Sequence, residues 1–297
     1  MARGTDLALT AFAPAVWGST YIVTTELLPA GYPLTVAMLR VLPAGLLLLL
    51  FVRKLPSRAW LGRVVLLGAL NIALFMPLLF VAAYRLPGGV AATCAAAQPL
   101  MVIFLAAAIL KTPVHALSIV AAVAGLGGVM LLVLTPAATL DAIGVAAGLG
   151  GALSMAAGTV LSRRWRPPVS LLTFTAWQLT VGGLLLLPLA LWLEPSLPMP
   201  DAGNVAGFVF LGLVGTAVAY ALWFRGIGRI EPSVVATLGF MSPVTALVLG
   251  WAVLDQSMTL PQSVGVVIVL ASVGLSQIAV RRAPSRPLPA SAVGVGD

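Results

Sequence analysis

Ten stretches of about twenty apolar residues, joined by short linkers that carry most of the charge, leave this chain few choices of fold. A helix needs about 20 apolar residues to cross the hydrocarbon of a bilayer. Breaking the 297-residue sequence at charges and at Pro/Gly clusters places such stretches at 8–28, 34–52, 61–84, 88–110, 114–134, 142–161, 170–192, 203–224, 233–254 and 260–280. In lipid every backbone polar group must be bonded internally, which a helix achieves by itself. The expectation is an all-α polytopic membrane protein with ten transmembrane helices. Composition agrees, with 61% hydrophobic and only 8% charged residues, where a soluble domain carries about 25% charged residues. The mean hydropathy is +1.11. The run after Arg3 continues past Trp17 and Tyr21 to Leu28 without a small-residue cleavage site, so it reads as a retained first span rather than a signal peptide. The Pro/Ala/Ser-rich tail, 282–297, reads as a disordered cytoplasmic extension.

The loop charges test the span count. With the N-terminus inside, the inner loops hold Arg3, Arg53, Lys54, Arg58, Arg63, Lys111, Arg163, Arg164, Arg166, Arg225, Arg229, Arg281, Arg282 and Arg286, which is 14 of the 16 basic residues. Only Arg85 falls outside, and Arg40 lies within a span. Cytoplasmic loops of membrane proteins collect Lys and Arg, and one missed or invented helix would scramble this alternation. Both termini are therefore expected in the cytoplasm of a multi-pass plasma-membrane protein, the inner membrane in a bacterium. The same count explains the net charge of +8 without a nucleic-acid partner.

The two halves resemble each other. "YRLPGGVAATCAAAQPLMVIFLAAAILK" (84–111) aligns without a gap on "GRIEPSVVATLGFMSPVTALVLGWAVLD" (228–255), setting Arg85 on Arg229, Thr93 on Thr237 and Pro99 on Pro243. "LRVLPAGLLLLL" (39–50) aligns on "WQLTVGGLLLLP" (177–188), which sets Arg40 against Gln178, and "VWGST" (16–20) lies opposite "AAGTV" (156–160). Five spans per copy is an odd number, so the second copy must enter the membrane upside down. The reading is two inverted five-helix repeats, 1–136 and 137–281, with substrate bound near the midplane where they meet.

These segments also carry a resemblance to a known family. "APAVWGSTYI" (13–22), "MLRVLPAGLLLLL" (38–50), "AATCAAAQPLMVIFLAAAIL" (91–110) and "VVATLGFMSPVTALVLGWAVL" (234–254) are similar to the EamA family of the drug/metabolite transporter superfamily. The resemblance covers roughly residues 8–280. It implies ten helices, inverted repeats and export of small metabolites, with the amino-acid exporters as the subfamily looked to first. One position departs from the family pattern. The acidic residue often found at the end of the fourth span is Lys111 here, while Asp255 keeps the acid in the second half.

The residues argue against an enzyme. The single histidine, His115, has no Cys, His or carboxylate cluster for a metal, and no paired carboxylates sit at membrane depth for acid/base work. No cofactor is implied. Cys94 has no second cysteine to pair with and reads as a small packing residue. Proton coupling would call for a carboxylate inside the membrane. Glu26 lies about 12 Å along the axis from the centre of the first span, at the outer interface, which fits a facilitator or weakly coupled exchanger. Candidate substrate contacts are aromatic or polar-neutral: Trp17, Tyr21, Asn71, Phe75, Gln98, Trp177, Tyr220, Trp223 and Met241, with Thr24, Thr93, Gln178, Thr216 and Thr237 beside them. Amides and hydroxyls would orient a zwitterion while rings contain its apolar side chain. Pro99 and Pro243 read as kinks or hinges. The competing interpretation of each aromatic is packing or interfacial anchoring.

Arg40 is the one basic residue well inside a span, Arg63 falling at the inner edge of its own. Arg40 lies about 9 Å from the outer end of its helix, within snorkelling reach. It is expected to face the bundle and bond helix-end carbonyls or Glu26, as a structural or outer-gate residue. The leading function is an exporter of neutral, especially aromatic, amino acids. Hydrophobic drugs or other metabolites are the alternative cargo, and a membrane scaffold or receptor is the alternative outside transport. The oligomeric state is left open, with a monomer sufficient for the repeats to meet.

Overall fold

The computed structural model describes residues 2–29, 31–86, 94–133, 141–253 and 259–281. Within them it describes all side chains but those of 2, 3, 21, 25, 80, 83, 84, 132, 133, 277, 280 and 281. Thr93, Asp255, the tail 282–297 and the side chain of Tyr21 lie outside the described residues. The described chain is helical with no strand: α1 Ala2–Gly18, α2 Thr20–Leu27, α3 Pro33–Val52, α4 Arg58–Gly68, α5 Phe75–Arg85, α6 Gln98–Leu110, α7 Ala116–Val133, α8 Ala142–Trp165, α9 Leu171–Leu193, α10 Ala202–Gly212, α11 Ala219–Arg229, α12 Pro232–Leu238, α13 Met241–Val253 and α14 Leu260–Arg281. Two π-helical segments, Ala69–Ala73 and Leu213–Val218, join α4 to α5 and α10 to α11. By length and composition seven helical stretches suffice to cross a membrane, and three shorter apolar helices, Cys94–Leu110, Ala116–Leu131 and Leu260–Ser276, fall within the remaining expected stretches.

Polar caps mark where the helices begin. Asp141 accepts from the Gly144 N–H at 2.7 Å, Ser170 from the Thr173 N–H at 3.2 Å, and Asp201 and Asn204 form a reciprocal capping box. Glu194, at the end of α9, reaches across to α3. Its two carboxylate oxygens accept the Leu34 and Thr35 N–H groups at 2.6 and 2.7 Å. A carboxylate on the first free N–H groups of a helix also meets the positive end of its dipole. Three helices end on a basic residue in the left-handed region: Arg53 (φ 49°), Lys111 (φ 58°) and Arg166 (φ 35°). That conformation costs a non-glycine residue about 1 kcal/mol. A positive charge beside the last carbonyls offsets part of it.

The bundle packs α3 along α9, α7 along α14, α5 and α6 along α8, and α1 along α11 and α13. Lipid supplies no hydrophobic drive between helices, so close approach of small residues does much of the work. Gly45 of α3 lies against the Leu179–Thr180 backbone of α9, where a Cβ would overlap it. At Gly183 of α9 a Cβ would stand 2.6 Å from the Leu42 Cβ. Large apolar side chains line the outside instead, including Leu50, Phe51, Leu191 and Trp192, the last 87% exposed, as expected where the surrounding solvent is hydrocarbon. The central core gathers Val41, Ile72, Leu179, Leu186, Tyr220 and Trp223.

Candidate functional site

The centre of the bundle is organised by the two π-segments. A π-turn bonds i to i−5, so one carbonyl loses its usual i−4 partner. In Leu213–Val218 the Ala219 N–H bonds the Thr216 and Val214 carbonyls and skips that of Gly215. Two side chains take up the freed oxygen: Trp17 Nε1 donates to it at 3.0 Å and Arg40 Nη2 at 3.1 Å. Arg40 Nε also donates to Thr216 Oγ1 at 3.0 Å. Arg40 is 8% exposed. Its partners are therefore a carbonyl and a hydroxyl within the eighth apolar stretch rather than a helix end. The π-turn is the physical reason, because it makes a mid-helix carbonyl available.

The other π-segment repeats the pattern with neutral groups. The Leu74 N–H bonds the Ala69 carbonyl at 2.7 Å, and the skipped Leu70 carbonyl accepts from Ser154 Oγ of α8 at 2.7 Å. Asn71, within the segment, donates from Nδ2 to Gln178 Oε1 of α9 at 2.7 Å. Both amides are fully buried. Asn71 Oδ1 and Gln178 Nε2 have no further partner. Gly158 of α8 faces Asn71 so closely that any Cβ would collide with the amide. The segments begin at 69 and 213, an offset of 144, which is also the offset of the gapless alignment of 84–111 on 228–255.

Next to Arg40 stands an aromatic group. The Trp17 ring lies 5.0 Å from Tyr220 and 5.2 Å from Trp223. Trp223 is 2% exposed, and its Nε1–H is buried without a partner. A donor left unbonded in a low-dielectric site carries a desolvation cost of roughly 1–3 kcal/mol, which a ligand acceptor would relieve. Phe75 packs half-buried against the same core. Gln98 is half-buried with its Nε2 unpartnered, beside the buried Pro99 at the start of α6. Met241 and Pro243 open α13, half-buried, after a break at Gly239–Phe240. Trp177 is not brought to this group. It packs with Trp60, Leu67 and Phe174 and donates to the Lys54 carbonyl at 2.6 Å, tying α9 to the linker after α3. Glu26 is exposed near the end of α2.

Sequence reading passed over several residues that the fold uses. Asp6 pairs with Arg225 at 2.5 Å and Arg229 at 3.5 Å, clamping α1 to α11; the i, i+4 spacing of the two arginines was the available signal. At the other end, Arg85 stands 3.7 Å from Asp141. Outside the spans, burial pushes the Glu231 carboxyl above the usual carboxylate range, with Arg163 and His115 pulling it part-way back. Among the described residues no group of three His, Cys, Asp or Glu is placed to hold a metal. The centre offers hydrogen-bond donors, one fixed cation and aromatic faces, which suit binding rather than bond-making chemistry.

Comparison with known proteins agrees with that character. Protein PecM of Dickeya dadantii (strain 3937) is 44% identical over 268 residues, covering 90% of each chain. An uncharacterized inner membrane transporter, YedA of Escherichia coli (strain K12), is 26% identical over 284 residues, 94% of this chain and 92% of its own. A probable amino-acid metabolite efflux pump of the same strain is 24% identical over 291 residues, 93% of this chain and 96% of its own. A solved crystal structure superposes with a TM-score of 0.81 at 18% identity, over 95% of this chain and 99% of that one, a likeness of fold. The sequence profile of the EamA-like transporter family matches residues 6–134 and again residues 142–277. The chain is thus a multi-pass inner-membrane protein and not an enzyme, and it belongs to the EamA-like transporter family.

Proposed function

We propose that this transporter exports neutral, chiefly aromatic, amino acids by alternating access between two inverted five-helix repeats, with both termini in the cytoplasm. One observation carries the substrate reading: Trp17 packs on Tyr220 and on Trp223, whose indole N–H is buried and unpartnered, and Trp17 shares the Gly215 carbonyl with Arg40. Rings contain an apolar side chain and the free N–H meets a carboxylate, while Arg40 holds the frame of the site as a structural or outer-gate residue. Phe75, Tyr21, Gln98 and Met241 complete the proposed surface, with Pro99 and Pro243 as hinges beside breaks in their helices, while Asn71, closed in by Gly158 and bonded to Gln178, ties helices together. The relative named as a probable amino-acid metabolite efflux pump points the same way.

Three facts support the repeat reading. The family profile matches each half separately. The π-segments share the offset of the repeat alignment. Each is held by the helix that the alignment pairs with the other's holder, α3 through Arg40 and α9 through Gln178. Purified protein in liposomes tests the function. Labelled phenylalanine, tryptophan and leucine are expected to exchange faster than through empty vesicles. If none of them does while a panel of drugs or other metabolites crosses, the amino-acid reading is wrong.

A further inference from the structure

Away from the Arg40 centre, a cavity of about 400 Å³ opens among the end of α8, the linker after it, the start of α9 and the end of α11. Arg163 and Arg166 are among the residues that line it. Arg163 Nη1 donates to the Ile227 carbonyl at 2.9 Å, which anchors the side chain across the cavity; a guanidinium has five N–H donors, so others remain. Ser162, 5% exposed, lines the same cavity, and its Oγ is buried without a partner. The rest of the wall is apolar, with Phe174 and Phe224 among its residues. These two rings, 6.1 Å apart, begin a chain of contacts: Phe224 lies 5.9 Å from Tyr220, and Tyr220 lies 5.0 Å from Trp17. The cavity is thus joined by aromatic rings to the centre of the bundle.

We propose that this cavity is a docking vestibule for the carboxylate of an aromatic or apolar substrate on the cytoplasmic side, a reading that rests on the exporter function above. The anchored Arg163, the exposed Arg166 and a free hydroxyl recognise an oxyanion, and arginine binds a planar carboxylate through paired N–H groups. The volume is that of a small-molecule pocket, and the aromatic wall gives the apolar tail a surface. Phe174 and Phe224, each 2% exposed, close the way onward, so the substrate waits here until they part.

The test uses full-length protein in phosphatidylcholine nanodiscs, with Cys94→Ala and a reporter thiol at Gly228→Cys. Gly228 lines the cavity, and the three atoms nearest a Cβ there belong to the Leu171 side chain, the first at 3.2 Å. Millimolar phenylalanine is expected to slow maleimide labelling of this thiol severalfold. Phenylalaninamide, which lacks the carboxylate, is expected to leave it unchanged. Arg166→Gln, at an exposed position, removes the protection. Equal slowing by the amide, or no slowing by phenylalanine, overturns the proposal. So does protection that appears only when phosphatidylglycerol is added, which would make the cavity a lipid-headgroup site. Labelling is read apart from flux: protection without amino-acid transport in liposomes counts against the exporter reading alone, and transport without protection counts against the vestibule alone.

Discussion

Arg40 reaches from α3 into one π-segment, and Gln178 reaches from α9 into the other, yet the two contacts use different chemistry. The first is a buried cation whose bonds go to a freed carbonyl and a hydroxyl. The second is a neutral amide pair in which one donor and one acceptor remain over. The surroundings differ accordingly. Trp17, Tyr220 and Trp223 crowd the Arg40 side, whereas Gly158, Ser154 and Ile72 close the Gln178 side. On the repeat reading proposed above, one backbone device, the π-turn, serves at both places while the side chains differ. The aromatic, charged side is suited to a ligand, and the tightly filled amide side to holding helices together.

The sharpest way to break both contacts at once is at Gly45, where α3 touches α9. A methyl group there overlaps the Leu179–Thr180 backbone, so Gly45→Ala should cost about 3 kcal/mol or more. Detergent-extracted yield and thermal unfolding check it; a normally folded alanine variant would mean the crossing is looser than described. Next in size is Arg40→Ala. It removes the Thr216 contact, one of two donors to Gly215 and the packing of the aliphatic stem, together about 2–3 kcal/mol. Arg40→Gln installs the amide that the other half uses and should lose less, lowering folded yield more than it shifts substrate preference. Full yield with altered preference would assign Arg40 to recognition.

The amide pair is expected to matter less. A double-mutant cycle on Asn71→Ala and Gln178→Ala should give a coupling of about 0.6 kcal/mol, the average for polar pairs in membrane helices. Zero coupling would remove the parallel with Arg40. Smallest is a pH effect at Glu231. Its folded-state carboxyl is raised by burial, so its contribution to stability is full below the ordinary carboxylate range. That contribution is lost as pH rises through the raised folded value. Glu231→Gln should flatten the acid side of the melting profile, and an unchanged profile would leave Glu231 without influence.

Much of the fold was legible because lipid imposes a simple rule on length and hydrophobicity, and the short linkers left little room for error. The starts expected at 142, 170 and 203 from charges and Pro/Gly clusters lie within one residue of those of α8, α9 and α10. The breaks were not legible. Nothing in "ALNIA" or "LVGTAV" announces a π-turn, since an inserted residue changes bonding without changing composition. For that reason Arg40 was assigned helix-end carbonyls or Glu26 as partners, and the free oxygen of Gly215 could not be anticipated. The aromatic residues were readable only as separate candidates, not as a group. That Trp17 meets Tyr220 and Trp223, while Trp177 turns toward Lys54, depends on how α1 and α9 pack. The role of Glu194 also escaped, because a carboxylate near a span end reads as solvated until the helix it caps is in view.

The central claim is that the halves act as opposed copies around one centre. On that account Asp6 with Arg225 and Arg229 holds one end, Arg85 with Asp141 holds the other, and the two ends open in turn. Spin labels in a Cys94→Ala background can measure both ends by pulsed electron resonance. One pair of labels sits at Gly4 and Gly228 and the other at Val81 and Ile143, all at exposed positions. Adding a transported amino acid should lengthen one distance in the populations where the other shortens. Distances that both lengthen, both shorten or both stay fixed during active exchange would contradict the account.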